Sequence, residues 1–206
     1  MAEARAWTFT DASAAAGWAR RLLWADAALS AVAAALALRR GLDPWRASQA
    51  ELMLGIGQLI VYLAGAVVAL RWLYLANANA RALGATDLMG SPGLAVGWFF
   101  IPLANLVMPY ATVRDMWRAS ANPKDWQAAS APATIILWWI CWLAAGITGL
   151  IAFRLQIEFA KEAGEAMETF YLASNLIAIP AALLFAAIIG RIQAMQDHSR
   201  LIQTLS

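Results

Sequence analysis

Few residues in this chain can do chemistry, and most of them sit in apolar surroundings. Asp26 interrupts the run LLWADAALSAVAAALAL, residues 22–38, about 7 Å of helix rise beyond Arg21 at 1.5 Å per residue. Arg71 precedes Asn77 by about 9 Å on the same measure, so in antiparallel neighbouring helices Asp26 and Arg71 fall at similar depth. Ionisable groups inside a membrane are costly and mark proton or ion sites, which makes Asp26 a candidate. A structural pair with Arg71, or a place at the headgroup boundary, is the simpler expectation, because an acid near a helix end is weaker support than one at the midplane. Gln58, Asn105 and Asn175 are the other polar side chains in apolar stretches. Hydrogen bonds between helices, worth about 1 kcal/mol each, account for them more simply than a polar path does. Pro180, one turn beyond Ser174 and Asn175, predicts a kink in the last apolar stretch.

Other reactive groups are poorly supported by their neighbours. Glu158, Glu162, Glu165 and Glu168 recur at spacings of four, three and three, which puts them on one face if a single helix carries them. Hard cations draw their ligands from tightly turning loops, so a solvated acidic face, partly balanced by Lys161, is expected instead. The lone His198, beside Asp197, excludes sites that need paired histidines, and the lone Cys141 excludes an internal disulfide. Trp138, Trp139 and Trp142 surround Cys141. Packing and lipid anchoring explain them better than a pigment or quinone pocket, since no haem ligands or nucleotide fingerprint accompany them. Hydrolase, zincin and phosphate-loop signatures are absent from the sequence. A carboxylate enzyme within the membrane would need two close acids where only Asp26 stands. The chain thus offers no catalytic, metal or cofactor site, and a non-enzymatic role is expected.

These side chains must be held by membrane helices. At 62% hydrophobic and 14% charged residues, the chain has too little polar surface to cover a soluble globule. Residues 22–38, 52–75, 133–153 and 170–190 are each apolar over roughly the 20 residues a spanning helix needs. None shows strand-like alternation, so the expected fold is an all-α integral membrane protein, one helical domain over 1–206. The first run resembles a cleaved signal peptide around residues 35–37, but Asp26 and the following Arg39 and Arg40 favour its retention. A net charge of +2 gives no reason to expect nucleic acid.

The stretch SPGLAVGWFFIPLANLVMPYATVRDMW, residues 91–117, decides the topology. If it crosses, Lys and Arg divide seven to eight between the two sides; if it does not, they divide ten to five. Since basic residues concentrate on the cytoplasmic side, four spans with both termini cytoplasmic are expected, and the acidic segment around Glu165 faces outward. Pro102 and Pro109 each remove a backbone donor, and Gly97 and Asn105 suit bends. The stretch then forms a re-entrant or interfacial helical hairpin; the alternative is a kinked fifth span.

Around this hairpin a family pattern emerges. Asn77, Asn79 and Arg81, then Gly97-Trp98, Ile101-Pro102 and Pro109-Tyr110, then Arg114-Asp115-x-Trp117-Arg118 resemble the bacterial membrane family catalogued as domain of unknown function 4328. The resemblance is strongest over 71–126 and implies a helical fold in a bacterial inner membrane, with no activity attached.

Three further features bear on partners. The tail, 191–206, carries Ile192, Met195, Ile202 and Leu205 near one helical face and reads as an amphipathic helix on the inner leaflet. Trp18, Trp24, Trp45, Trp72, Trp98, Trp117 and Trp126 lie mostly near span ends, as headgroup-layer anchors do. Gly55-x-Gly57, Ala64-Gly65-Ala66 and Ala145-x-x-x-Gly149 permit close helix approach, within the chain, in a homo-oligomer or in a larger membrane complex. The leading expectation is an accessory or scaffold subunit whose partner is the lipid bilayer and other membrane helices. A small transporter or channel with 91–117 as its re-entrant element is the alternative.

Overall fold

In a computed structural model, residues 7–159 and 163–205 are described. They form helices α1 (Ser13–Arg39), α2 (Gln49–Ala82), α3 (Pro92–Gly97), α4 (Met108–Ala121), α5 (Ala133–Phe159) and α6 (Gly164–Leu205), with short 3-10 turns between some of them and no strand among the described residues. Four of these helices, α1, α2, α5 and α6, are long and apolar enough to cross a membrane, and the chain is an all-α, multi-pass membrane protein. Each expected span lies inside one of the four and extends beyond its apolar limits, because Ala-, Glu-, Arg- and Gln-rich flanks are good helix formers.

Local chemistry sets the helix ends. The Asp11 carboxylate accepts the Ser13 N–H at 2.8 Å where α1 begins. At its other end, Gly41 N–H reaches Leu38 C=O and Leu42 N–H reaches Ala37 C=O, both at 3.1 Å. The end of α2 repeats this paired closure through Gly84 and Ala85. Gly41 and Gly84 adopt φ of 71° and 110°, which a residue without Cβ accepts readily. Ser48 and Glu51 exchange hydrogen bonds at the start of α2, where the Ser48 hydroxyl accepts the Glu51 N–H at 3.3 Å, a reciprocal cap.

The stretch 91–117 is broken. Ser91 caps α3 by accepting the Leu94 N–H at 3.2 Å. A turn through Leu103 at φ 65° follows, and Pro109 lies in the first turn of α4, where its missing N–H costs nothing. With 6 and 14 residues, α3 and α4 rise only about 9 and 21 Å, short of the roughly 30 Å hydrocarbon core. They pack against each other as the expected hairpin does.

The described residues group into two compact units, to both of which each long helix contributes. The first comprises 7–20, 66–136 and 187–205 and the second 21–65 and 137–186. The first unit buries large side chains, among them Trp72, Leu73, Leu83, Val113, Met116, Ile189 and Ile192. Trp72 is 0% exposed, so the lipid-anchor expectation is corrected there: this indole is core. The tail expectation changes too, because 191–205 continues α6 without a break and buries Ile192, Gln193 and Gln196, while Ile202 and Leu205 are exposed.

The second unit inverts the usual soluble arrangement. Apart from the buried Trp138 and Trp139, its interior is largely alanine, among them Ala27, Ala33, Ala34, Ala37, Ala181 and Ala182, whereas Leu59, Ile60, Leu63, Ile140, Ile147, Leu150 and Phe153 face outward. Lipid tails are as apolar as leucine, so large side chains lose nothing by facing them and small ones let backbones approach. Gly149 is such a contact: a Cβ there would meet Ser174 Oγ at 3.0 Å, and that hydroxyl donates to Ala145 C=O at 2.9 Å. The Ala145-x-x-x-Gly149 face is therefore occupied within the chain. Trp138 stacks on Phe185 with centroids 4.4 Å apart, and Trp139 on Trp142, as helix packing.

The acidic face is not one face. Because α5 ends at Phe159 and α6 starts at Gly164, Glu158 and the pair Glu165 and Glu168 belong to different helices; Lys161 and Glu162 lie outside the described residues. Glu158 pairs with Arg154 at 3.2 Å on the surface, and Glu165 is exposed. Glu168 is buried and, with Glu51, accepts hydrogen bonds from Arg40. Side-chain exposures of 11% for Arg40 and 8% for Glu168 make this a shielded ion triad, and removing one member of a buried pair costs about 3–5 kcal/mol. Arg40→Met is therefore expected to lower stability in detergent unfolding by about 3 kcal/mol, with a large part recovered when Glu168→Leu is added. Independent, additive losses would show that the groups are not coupled.

Candidate functional site

In the second unit the polar residues of the spans meet. The Gln58 amide donates to Ser30 Oγ at 3.0 Å and to Asn175 Oδ1 at 2.9 Å, and Asn175 in turn donates to Tyr171 C=O at 2.9 Å. Ser30 and Asn175 are buried. Gln58 and Asn175 are thus joined directly, and the same Gln58 amide also holds Ser30, a residue that does not stand out in the sequence among the alanines of the first span. Asp26 stays apart: it is half-buried in α1 and has no ion-pair partner among the described residues. Arg71, expected as its partner, is an exposed residue of α2 that is likewise without an ion pair among the described residues. Its outward direction follows from helix phase, since Trp72 and Leu73 occupy the inward positions.

The first unit gathers the polar residues of the family pattern. Asn77 Oδ1 accepts from Arg81 Nε at 3.3 Å, and Arg81 Nη2 donates to the carbonyls of Leu88, at 3.2 Å, and Gly90. The guanidinium therefore ties down the chain after α2. Asn79, fully buried, grips a single residue at two points: its Oδ1 accepts the Thr10 N–H and its Nδ2 donates to the Thr10 C=O, both at 2.8 Å. An amide side chain thereby replaces the strand neighbour that an extended segment would otherwise need. Just before Thr10, Trp7 lies under the Arg81 guanidinium at 5.8 Å and Phe9 under that of Arg200 at 4.8 Å, cation–π contacts that reinforce the grip. Asp11, next along, is held below the ordinary carboxylate range by the Ser13 backbone N–H and hydroxyl.

Glutamines of the tail complete this interior. Gln193 accepts from the Trp72 indole at 3.3 Å and donates to Asp197. Gln196 Nε2 donates to Ala76 C=O at 2.9 Å and to Ser120 Oγ at 3.0 Å, and Gln203 donates to Leu83 C=O at 3.1 Å. None of these was singled out from the sequence, although Gln193, Gln196 and Gln203 recur at spacings of three and seven, a one-face pattern.

The hairpin supplies the remaining pattern residues. Asp115, 8% exposed, pairs with its neighbour Arg114 at 2.8 Å, and that guanidinium lies 5.7 Å over the Tyr110 ring. Pro109 is buried in α4, Gly97 closes α3, and Pro102 is exposed in the turn; Trp117 and Arg118 are half-buried. Trp98 Nε1, Asn105 Oδ1, Thr112 Oγ1 and Arg118 Nε are buried without a hydrogen-bond partner among the described residues. Asn105, singled out in the sequence with Gln58 and Asn175, makes none of the hydrogen bonds that join those two. Phe100, Leu103, Leu106 and Val107 are exposed at the tip. An open hollow of about 320 Å³, lined by Gly41–Trp45, Gly164 and Glu165, lies in the second unit. Glu165 of the acidic segment lines it, and none of Asp26, Gln58, Arg71, Asn105 and Asn175 does.

Residues 40–194 match the sequence profile of a family described as a domain of unknown function, DUF4328. No curated protein and no solved structure matches the chain.

Two outcomes follow from the Asn79 grip. Asn79→Leu removes both bonds to the exposed Thr10, each worth about 0.5–1.5 kcal/mol, so exchange of the Thr10 amide hydrogen is expected to accelerate about tenfold with little change in global helicity. Acidification acts similarly at Asp11: a lowered carboxyl favours the folded state above its unfolded pKa and ceases to do so as pH falls through the folded value. Exchange at residues 10–13 is accordingly expected to rise below the ordinary carboxylate range, and Asp11→Ala to remove that pH dependence.

Proposed function

The chain belongs to the DUF4328 family, and from that premise we propose that it is a non-enzymatic, multi-pass protein of the bacterial inner membrane that serves as an accessory or scaffold subunit. One observation carries the reading: Asn77, Asn79 and Arg81 engage the chain's own backbone and one another, while Gln58 and Asn175 engage each other. Groups so engaged rigidify a structure, whereas a reactive or transporting site needs polar atoms free to meet a substrate. The outward apolar faces of α2 and α5 suit lipid and neighbouring helices. Gly55 and Gly57 have nothing within 4 Å of where a Cβ would be, which suits close approach by a second copy or another membrane subunit.

Both termini and the hairpin are proposed to be cytoplasmic. Among the described residues, basic side chains divide eight to five in favour of the unit that contains the hairpin and the tail, the bias that cytoplasmic segments carry. The transporter or channel reading keeps one specific support, the unpartnered Trp98 Nε1 and Asn105 Oδ1 in the hairpin, since irregular backbone at membrane depth is tolerated where it lines a cavity.

Single cysteines in a Cys141→Ser background check the topology. Thiol labelling of intact cells by an impermeant reagent is expected at Ala47→Cys and Ala166→Cys and not at Thr86→Cys or Ala128→Cys, all exposed positions. Labelling at only one of Thr86 and Ala128 would place the hairpin across the membrane. Purification in mild detergent is expected to yield a stoichiometric partner or a homo-oligomer, with Gln58→Leu costing about 1 kcal/mol of stability and leaving that assembly intact. A monomer showing solute flux in liposomes that Asp26→Asn abolishes would replace the scaffold reading with the transporter.

A further inference from the structure

Three arginines share one level of the first unit. Arg20 of α1, Arg71 of α2 and Arg191 of α6 are exposed, and none has an ion-pair partner among the described residues. Their shared level follows from two contacts. The Arg20 guanidinium lies against the backbone of Gly190, where a Cβ would sit 3.1 Å from Cζ and 3.2 Å from Nε. The indole of Trp72, the neighbour of Arg71, donates to Gln193, two residues beyond Arg191, at 3.3 Å.

The same level is where the apolar runs stop, since the spans begin at residue 22 or end at 75 and 190. Trp18 and Tyr74 are exposed there, at 57% and 42%. Amphipathic rings and cations together at the ends of apolar spans mark the headgroup layer. The acid that follows along α6, Asp197, accepts from Gln193. The anion concentrated at that depth is lipid phosphate, and a guanidinium's planar fork matches phosphate oxygens in pairs. Gly190 matters because a Cβ there would push the Arg20 guanidinium away from α6.

We infer that Arg20, packed on Gly190, and Arg191, the next residue of α6, together with Arg71, form a binding site for the phosphate of an anionic phospholipid headgroup. Basic groups between membrane helices at a bilayer surface are suited to this, each cation contributing about fivefold in affinity.

The test uses the full-length protein in mixed micelles containing either phosphatidylglycerol or phosphatidylcholine, with lipid retained per protein measured after gel filtration. Phosphatidylglycerol is expected to be retained preferentially. Arg20→Gln and Arg191→Gln are each expected to lower its retention about fivefold, Gly190→Ala to lower it without changing charge, and Arg39→Gln, an exposed residue of the second unit, to leave it unchanged. Equal retention of the two lipids would overturn the assignment, as would wild-type retention by the Arg20→Gln, Arg191→Gln double variant. Both of those positions are exposed, so the double variant decides the matter if Gly190→Ala perturbs folding by circular dichroism. Displacement of the lipid by millimolar inorganic phosphate would overturn the lipid assignment in favour of a soluble anion.

Discussion

A polar group withdrawn from water must find a partner, and at the end of α2 side chains meet that requirement for the backbone around them. Asn79 closes both backbone groups of Thr10, Arg81 holds the carbonyls of Leu88 and Gly90, and Gln196 holds that of Ala76. Each is an amide or guanidinium with several donors in fixed geometry, which is what irregular backbone needs where no helix or strand supplies a neighbour. The approach to α1, the loop after α2, α4 and the tail of α6 all lead to this one turn and a half of helix. A substitution there leaves an unpaired group in a dry place, the costliest kind of local error.

The two units apply different physics to the same helices. In the second, alanines face inward and most bulky side chains outward, Trp138 and Trp139 excepted, because lipid gives no reason to hide them and close backbone approach maximises dispersion contacts. In the first, the interior holds Trp72, Leu73, Met116 and Ile192 alongside buried Asn and Gln. The shielded Arg40 triad uses a charged version of the same logic, with one guanidinium meeting two carboxylates from different helices.

Family membership and geometry combine in the hairpin. Its prolines and glycine leave short helices around an apolar tip, and Asp115 and Arg114 form a pair over Tyr110. Its two short helices pack against each other within the first unit.

The sequence by itself determined the helical membrane class, the four spans and the broken character of 91–117, because run length, hydropathy and proline are local properties that no distant contact reverses. It also brought forward Asn77, Asn79 and Arg81 as a group through the family pattern. Only the tertiary structure decided what those side chains hold. The grip of Asn79 on Thr10 spans 69 positions and the Gln196 to Ala76 bond 120, and nothing in the spacing along the chain encodes such pairings. Helix phase had the same effect on single residues: neighbouring positions of α2 point Trp72 inward and Arg71 outward, and a register set by packing joined Gln58 to Asn175 while leaving Asp26 out. Composition specifies which solvent a helix can enter; which of its faces meets which neighbour is settled by packing among helices far apart in sequence.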